Sequence, residues 1–383
     1  MISVEKTKVL FFIYQMGAGG AARTLLNIIN NIDRTTFTPV LVTLNYNGSY
    51  EEYVHPDVKL IKLETKRLRS AVFPLAKVIK EEKVDIVFST IPNYNTIAIL
   101  GNLLSFTRAK NVVREAAYLG GDFSTNVKLV AYGLLYRRSS KVIALSKGVK
   151  ENIVKRYKVN PANIQVIYNP VDVENIQQMI GTEKMTDEHQ AIFSKDQKVI
   201  IAAGRLVSDK DHRTLIQAFA KVNSQMKSTL VILGEGELED DLKEQAHELG
   251  IQDSVHFLGF QRNPYIYFKQ ADLFVLSSTR EGFGHVLTEA LAAGTPVLST
   301  NCRPGAQEVL NHGEFGTLCE IGNASEMATK MMELLTMDEE RRAAVIQKGR
   351  KRANDFHAKA IVKQYEEMFT QTLIQSNKEV DRG

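Results

Sequence analysis

The sequence predicts two doubly wound α/β domains, each built on a parallel sheet, and three observations lead there. Short, nearly continuous apolar runs alternate with helical patterns along the chain. The alternation stops in the polar stretch 180–197, "IGTEKMTDEHQAIFSKDQ", which has no clear apolar period, and then begins again. At 383 residues the chain is also longer than one ordinary core serves.

The elements follow in order. "KVLFFIY" (8–14) is an apolar run ending in a glycine turn, "AARTLLNIINNI" repeats with a helical period, and "TPVLVTL" (38–44) is a second strand. A strand, a helix and a strand imply parallel pairing. Further strands are predicted at 58–63, 84–90, 111–115, 141–146 and 163–170. The second series runs through "KVIIAAGRL" (198–206), 228–236, 255–260, 273–278 and "TPVLST" (295–300). The expected division is residues 1–170 and 171–357, joined near Asn169 to Val173, with a deep cleft between the domains. The helical pattern "AKAIVKQYEEMFTQTLIQ" opens a segment, 358–383, expected to pack back on the first domain.

Composition narrows the class. A 44% hydrophobic and 24% charged chain is that of a globular protein, and Cys302 and Cys319 are too few for a disulfide framework. No signal segment precedes the first strand and no apolar stretch approaches the roughly 20 residues of a spanning helix, so a reducing cytoplasm is expected. The net charge of +4 conceals an asymmetry. Residues 1–170 hold 24 Lys and Arg against 12 Asp and Glu, a charge of +12, and the remainder hold 24 against 32, or −8. A basic half suits a phosphate-bearing partner or an anionic membrane surface, and scattered solvated lysine gives the same count. Nucleic acid is not expected, since no recognition-helix, zinc or aromatic-interleaved basic motif accompanies the charge.

Chemistry in such sheets belongs at the carboxyl ends of the strands. After the first strand, Gly17, Gly19, Gly20 and Ala22 form a glycine-rich turn matching G-x-G-x-x-A. A dinucleotide site would also need an acid after the second strand, where Asn45 stands instead. The same glycines would let another bound group approach a helix N-terminus beside Arg23, or would simply make a tight turn. In the second domain, Arg205 and Lys210 follow a strand and combine a planar donor fork with a point charge, a pair suited to a diphosphate. In "TREGFGHVLTEALAAG", Glu281 falls in a loop and Glu289 on a helix closed by Gly294. The carboxylates suit hydroxyl-rich groups, while the helix N-terminus near His285 and Val286, approached through Gly282 and Gly284, suits phosphate. A sugar, a diphosphate and a ribose fit this spacing, and the expected ligand is a nucleotide sugar.

The combination G-R-L-x-x-x-K (204–210), G-E-G (234–236) before a charged helix, F-L-G-F (257–260) and E-x7-E (281–289) resembles the retaining glycosyltransferases of family 4. The resemblance extends over nearly the whole chain. Segment 257–310 is most similar to bacterial members that extend surface polysaccharides and lipid-linked oligosaccharides. It implies the GT-B architecture, two Rossmann-like domains facing a cleft, with acceptor binding in the first and nucleotide-sugar binding in the second. It implies that Arg205 and Lys210 bind the donor diphosphate, that Glu281 contacts the donor sugar and that Glu289 holds the ribose. The backbone around Val286, Leu287 and Thr288 would cap the phosphate, with Gly282, Phe283, Gly284 and His285 leading into it, and Phe260 and Gln261 would frame the base, with uracil the base implied. Gly17, Gly19 and Gly20 would line the site. Many members place a first-domain His against the sugar. Here the region reads "NVVREAAYLGGD", the sole first-domain His is His55, in a loop, and Arg114 and Glu115 are the candidates for that contact.

The implied reaction moves a hexosyl or N-acetylhexosaminyl group with retention, without metal or other cofactor, to a glycan or lipid-linked glycan at the inner face of the membrane. Lys62, Lys66, Arg67, Arg69 and "LLYRRSSK" (134–141) would meet anionic headgroups or an acceptor diphosphate. A nucleotide-sugar 2-epimerase of the same architecture and an NAD-dependent oxidoreductase are the competing readings.

Overall fold

The computed structural model describes residues 6–17, 19–193 and 196–380. Seven strands, β1 (Thr7–Phe12), β2 (Phe37–Leu44), β3 (Lys59–Leu63), β4 (Ile86–Thr90), β5 (Lys110–Glu115), β6 (Lys141–Ala144) and β7 (Ile164–Val166), form one sheet in the order β3-β2-β1-β4-β5-β6-β7. All the pairings are parallel. Val9, Leu10, Phe11 and Phe12 read as an unbroken apolar run because β1 has a neighbour on each edge and cover on each face. Leu10 lies opposite Val40 on one side and Val87 on the other, in a core completed by Leu75, Ile79 and Ala98.

A second sheet contains β8 (Lys198–Ala203), β9 (Ser228–Leu233), β10 (Val255–Phe257), β11 (Leu273–Leu276), β12 (Val297–Thr300) and β13 (Thr317–Cys319). Its order is β10-β9-β8-β11-β12-β13, again parallel throughout. Strand order reverses between β1 and β4 in the first sheet and between β8 and β11 in the second, and these are the two switch points. The two parallel α/β sheets are the doubly wound class that the alternating pattern predicts.

The chain divides into two compact units, Met1–Pro170 with Ala358–Gly383, and Val171–His357. The helix Ala358–Val380 belongs to the first unit because its aromatic residues complete that unit's core. The Phe369 ring lies 6.4 Å from Phe11, 6.1 Å from Phe37 and 5.9 Å from Phe88, each in an edge-on arrangement.

Three features depart from the sequence reading. The polar stretch 180–197 holds the end of one helix, Val173–Thr182, and a second helix, Asp187–Ile192, whose Thr186 cap accepts from the His189 amide at 3.2 Å. Six residues are too few to show an apolar period; Ser194 and Lys195 lie outside the described residues. Strand β13 is a three-residue edge beside β12, too short to carry a pattern. Segment 163–170 is strand only at Ile164–Val166, and the rest is the path toward the second unit.

Replacing Phe369 by Ala removes a ring from the centre of this aromatic cluster and is expected to cost about 3–5 kcal/mol. Scanning calorimetry checks this: the transition of the first unit should move down while that of the second stays in place.

Candidate active site

In the second unit, the strands at the switch point are β8 and β11, and the loops that follow them are tied together. After β8, Arg205 is exposed, and Ser208–Lys210 form one turn of 3-10 helix ahead of Asp211. After β11, the Ser277 hydroxyl donates to the Lys210 carbonyl at 2.8 Å and the Thr279 amide donates to the Asp209 carbonyl at 2.9 Å. The Arg280 guanidinium also reaches Asp209, at 2.9 Å. These bonds bring Lys210 and Glu281 into a direct ion pair through Nζ and Oε1, with both side chains mostly buried. The Ser278 hydroxyl donates to the same carboxylate oxygen at 2.8 Å, and the Gly305 amide donates to the Glu281 carbonyl at 3.0 Å. The sequence assigns Lys210 and Glu281 to separate tasks, diphosphate and sugar. The structure makes them one charge-paired centre.

Beyond this pair, Gly284 adopts φ +81°, a left-handed conformation that glycine takes at no steric cost, and it starts the helix His285–Ala293. No side chain caps that start and no acid occupies its first turn, so the positive end of its dipole favours an anion there, while the Leu287 amide donates to the Gly284 carbonyl at 2.9 Å. The side chains of the same stretch turn elsewhere. Phe283 packs edge-on to Phe356 with centroids 5.1 Å apart, Leu287 is completely buried, and Thr288 donates to the His285 carbonyl at 2.7 Å. The phosphate cap expected of the backbone at Leu287 and Thr288 requires neither of their side chains. Val286 remains half-buried.

Glu289 and His285 are buried on one face of the helix. The Glu289 carboxylate accepts from the Tyr265 hydroxyl at 3.1 Å and lies 3.5 Å from His285 Nε2. Phe260 and Gln261 follow β10. The Phe260 amide meets Glu235 at 3.5 Å, and Gln261 accepts from the Tyr267 hydroxyl at 3.0 Å.

Two groups here were not singled out in the sequence. Thr300, at the end of β12, donates to the Ser278 carbonyl at 2.5 Å and supports the Glu281 loop. His212 is buried behind Lys210, where burial, with Lys210 second, lowers its pKa to about 4. Hydroxyls at strand ends and a lone helix-start His have no diagnostic spacing, so only the assembled loops reveal them. Among the described residues, no three His, Cys, Asp or Glu side chains gather to hold a metal ion.

The glycine-rich turn and Glu115 belong to the first unit. Gly19 precedes the helix Gly20–Asn31, and the space where a side chain at Gly19 or Gly20 would begin is open. Gly17 sits against the Gln15 side chain, and Ala18 lies outside the described residues. Arg23 donates to the Tyr50 hydroxyl at 2.9 Å and lies over the same ring.

Arg114 and Glu115 are both completely buried, so the sugar contact expected of them is corrected to a structural role. Arg114 donates to Thr90 Oγ1 at 3.0 Å and to Asn169 Oδ1, holding the segment where the first unit ends. The Glu115 carboxylate accepts from Tyr136, from Tyr157 at 2.9 Å and from Asn95 at 3.1 Å. Burial outweighs these donors and raises its pKa to about 7.

The two buried groups give the units opposite pH dependences. Glu115 favours its protonated form in the fold, so its contribution is full below its ordinary 4.5 and is lost as pH rises through about 7. His212 favours its neutral form, so its contribution is full above its ordinary 6.5 and is lost as pH falls toward about 4. Unfolding of each unit followed from pH 4 to 8 should show these slopes. Glu115→Gln should flatten the first and His212→Asn the second.

Comparison with known proteins identifies the family and the fold. The model "Glycosyltransferase Family 4" matches residues 18–175, and "Glycosyl transferases group 1" matches residues 184–352. The N-acetylgalactosamine-N,N'-diacetylbacillosaminyl-diphospho-undecaprenol 4-alpha-N-acetylgalactosaminyltransferase of Campylobacter jejuni is 32% identical over 367 residues, covering 91% of this chain and 95% of its own. The N-acetyl-alpha-D-glucosaminyl L-malate synthase of Bacillus anthracis is 30% identical over 306 residues, 78% of each chain. Among solved structures, Anabaena HepE in complex with UDP-glucose superposes with a TM-score of 0.80 at 23% identity, covering 95% of this chain and 99% of its own, which supports the GT-B fold. The chain therefore belongs to the family 4 glycosyltransferases of GT-B architecture.

Proposed function

We propose that this glycosyltransferase moves a hexosyl or N-acetylhexosaminyl group from a UDP-sugar to a glycan or lipid-linked glycan, with retention of anomeric configuration and without a metal ion. The setting proposed is cell-surface polysaccharide synthesis at the cytoplasmic face of the membrane, with the first unit taking the acceptor and the second the donor. The observation that carries the reading is the pairing of Lys210 with Glu281 at the β8/β11 switch point, with Arg205 exposed in the same loop after β8 and the helix His285–Ala293 following Glu281. The Campylobacter relative is named for an acceptor on diphospho-undecaprenol, and HepE for its complex with UDP-glucose. Both support the choice of substrates.

In this mechanism the donor diphosphate lies between the two cations and the helix N-terminus. The Lys210 ammonium is shared between Glu281 and phosphate, and the carboxylate then accepts from a sugar hydroxyl. Glu289, aligned by Tyr265, takes the ribose hydroxyls. The acceptor oxygen forms its bond to the anomeric carbon on the face that the diphosphate leaves. Its proton passes to a phosphate oxygen as the carbon–oxygen bond to phosphate breaks. The cations and the helix dipole stabilise the departing charge, the contribution that a metal supplies in other transferases.

The test is turnover of a UDP-sugar panel in EDTA with a diphospho-lipid-linked glycan acceptor, the product's anomeric configuration being read by NMR. The expected product keeps the donor's configuration, and Arg205→Ala or Lys210→Ala lowers kcat/KM by about a hundredfold or more. An inverted product, a strict need for added metal, or conversion of the UDP-sugar to its 2-epimer without acceptor would overturn the proposal.

A further inference from the structure

In the loop after β10, the amide of Gln261 is held at both of its ends. Nε2 donates to the Leu258 carbonyl, and Oε1 accepts from the Tyr267 hydroxyl at 3.0 Å. A backbone carbonyl can only accept, so the nitrogen must face Leu258 and the oxygen must face Tyr267. The single hydroxyl proton of Tyr267 is then committed to Gln261, and His189 Nδ1, 2.7 Å from the same hydroxyl, must be the donor to it. Tyr267 is itself fixed, being 3% exposed with the Phe193 ring 6.0 Å away. His189 lies on the helix Asp187–Ile192, which is tied to the helix Tyr265–Gln270 by reciprocal amide bonds, Gln190 to Gln270 at 2.9 Å and back at 3.1 Å.

This loop belongs to the rim that carries the Lys210–Glu281 pair. The Gly234 amide donates to the Gly259 carbonyl at 2.8 Å and the Leu206 amide to the Glu235 carbonyl at 2.9 Å, so the loops after β8, β9 and β10 are continuous from Arg205 to Gln261. The helix Tyr265–Gln270 supports two side chains of the region, since Tyr265 holds Glu289 at 3.1 Å and Tyr267 holds Gln261. With a diphosphate at the switch point and a ribose on Glu289, the base is the group left for Gln261, which is half-buried. The internal bonds leave its amide one N–H and one oxygen lone pair.

A carboxamide that can turn over offers donor and acceptor in either order, and one that cannot offers a single order. Uracil presents an N–H at position 3 beside the acceptor oxygen at position 4, whereas cytosine presents an acceptor nitrogen beside an amino donor. The two edges share an outline and have opposite orders. For a base placed by its ribose and diphosphate, an amide that pairs with one edge meets like groups on the other. We propose that Gln261 reads the base edge and that Leu258, Tyr267 and His189 are positioning groups that fix its order, so that the site takes uracil and refuses cytosine. The inference rests on the UDP-sugar reading of this site and deepens it.

Isothermal titration of UDP and CDP tests it, because the two share ribose and diphosphate and differ in the base alone. Wild type should bind UDP about tenfold or more tighter than CDP. Gln261→Ala should remove most of that preference, Tyr267→Phe should reduce it, and His189→Phe should act in the same direction. In the Gln261→Ala background, Tyr267→Phe should change the ratio no further, a non-additivity that a general loosening of the fold does not produce. Thermal midpoints establish that each variant is folded, and Tyr267→Phe, which keeps the ring and its packing, decides the matter if His189→Phe is destabilised. Equal affinity of wild type for the two nucleotides, or a full preference retained in Tyr267→Phe, overturns the inference and leaves the donor reading standing. Wild-type binding of neither nucleotide sinks the donor reading, and the inference with it.

Discussion

The ion pair between Lys210 and Glu281 constrains much of the second unit. Its partners are 71 residues apart and follow strands separated in sequence by two others, so they meet only if β8 and β11 are neighbours. The strand order that reverses there is what allows it. Two mostly buried charges are costly to desolvate, and the cost is offset only when each has its counter-charge and its remaining bonds are made. Ser278 donates to the Glu281 carboxylate, Ser277 holds the Lys210 backbone carbonyl, Thr300 supports their loop, and the Gly305 amide holds the Glu281 backbone. A phosphate entering such a site meets a cation whose position is already fixed. Little ordering is then left to be done on binding.

The first unit solves a different problem with the same residue types. Arg114 and Glu115 are consecutive on β5, and alternation along a strand sends them to opposite faces of the sheet. One face gives Arg114 the side-chain amide oxygen of Asn169 and the hydroxyl of Thr90. The other gives Glu115 two tyrosines and an asparagine. Tyr136 links that buried carboxyl to the helix Phe123–Tyr136, so the interior of the sheet and the seating of that helix depend on one packing arrangement. A charged pair that reads as catalytic in sequence is here spent on holding the helix and the end of the unit.

Much of the fold was legible because a parallel strand buried on both faces has to be apolar without interruption, as Val9–Phe12 shows. Elements below one structural period were not: the edge strand Thr317–Cys319 and the helix Asp187–Ile192 leave no repeating signal. At the site, Arg205, Lys210, Glu281 and Glu289 could be named from position after a strand and spacing along a helix. Their pairing could not be, because sequence distance says nothing of which loop faces which. Glu115 was misread for a related reason. Burial and the tyrosines that satisfy it come from residues 21 and 42 positions away, and only the folded sheet brings them to the carboxylate.

The central claim is that the Lys210–Glu281 centre receives the donor diphosphate. Isothermal titration of UDP into wild type, Lys210→Met and Glu115→Gln addresses it most directly, with thermal unfolding confirming that each variant is folded. The account predicts that Lys210→Met weakens UDP binding about tenfold or more while Glu115→Gln leaves it unchanged. Wild-type affinity in Lys210→Met would contradict it and move the diphosphate away from this switch point.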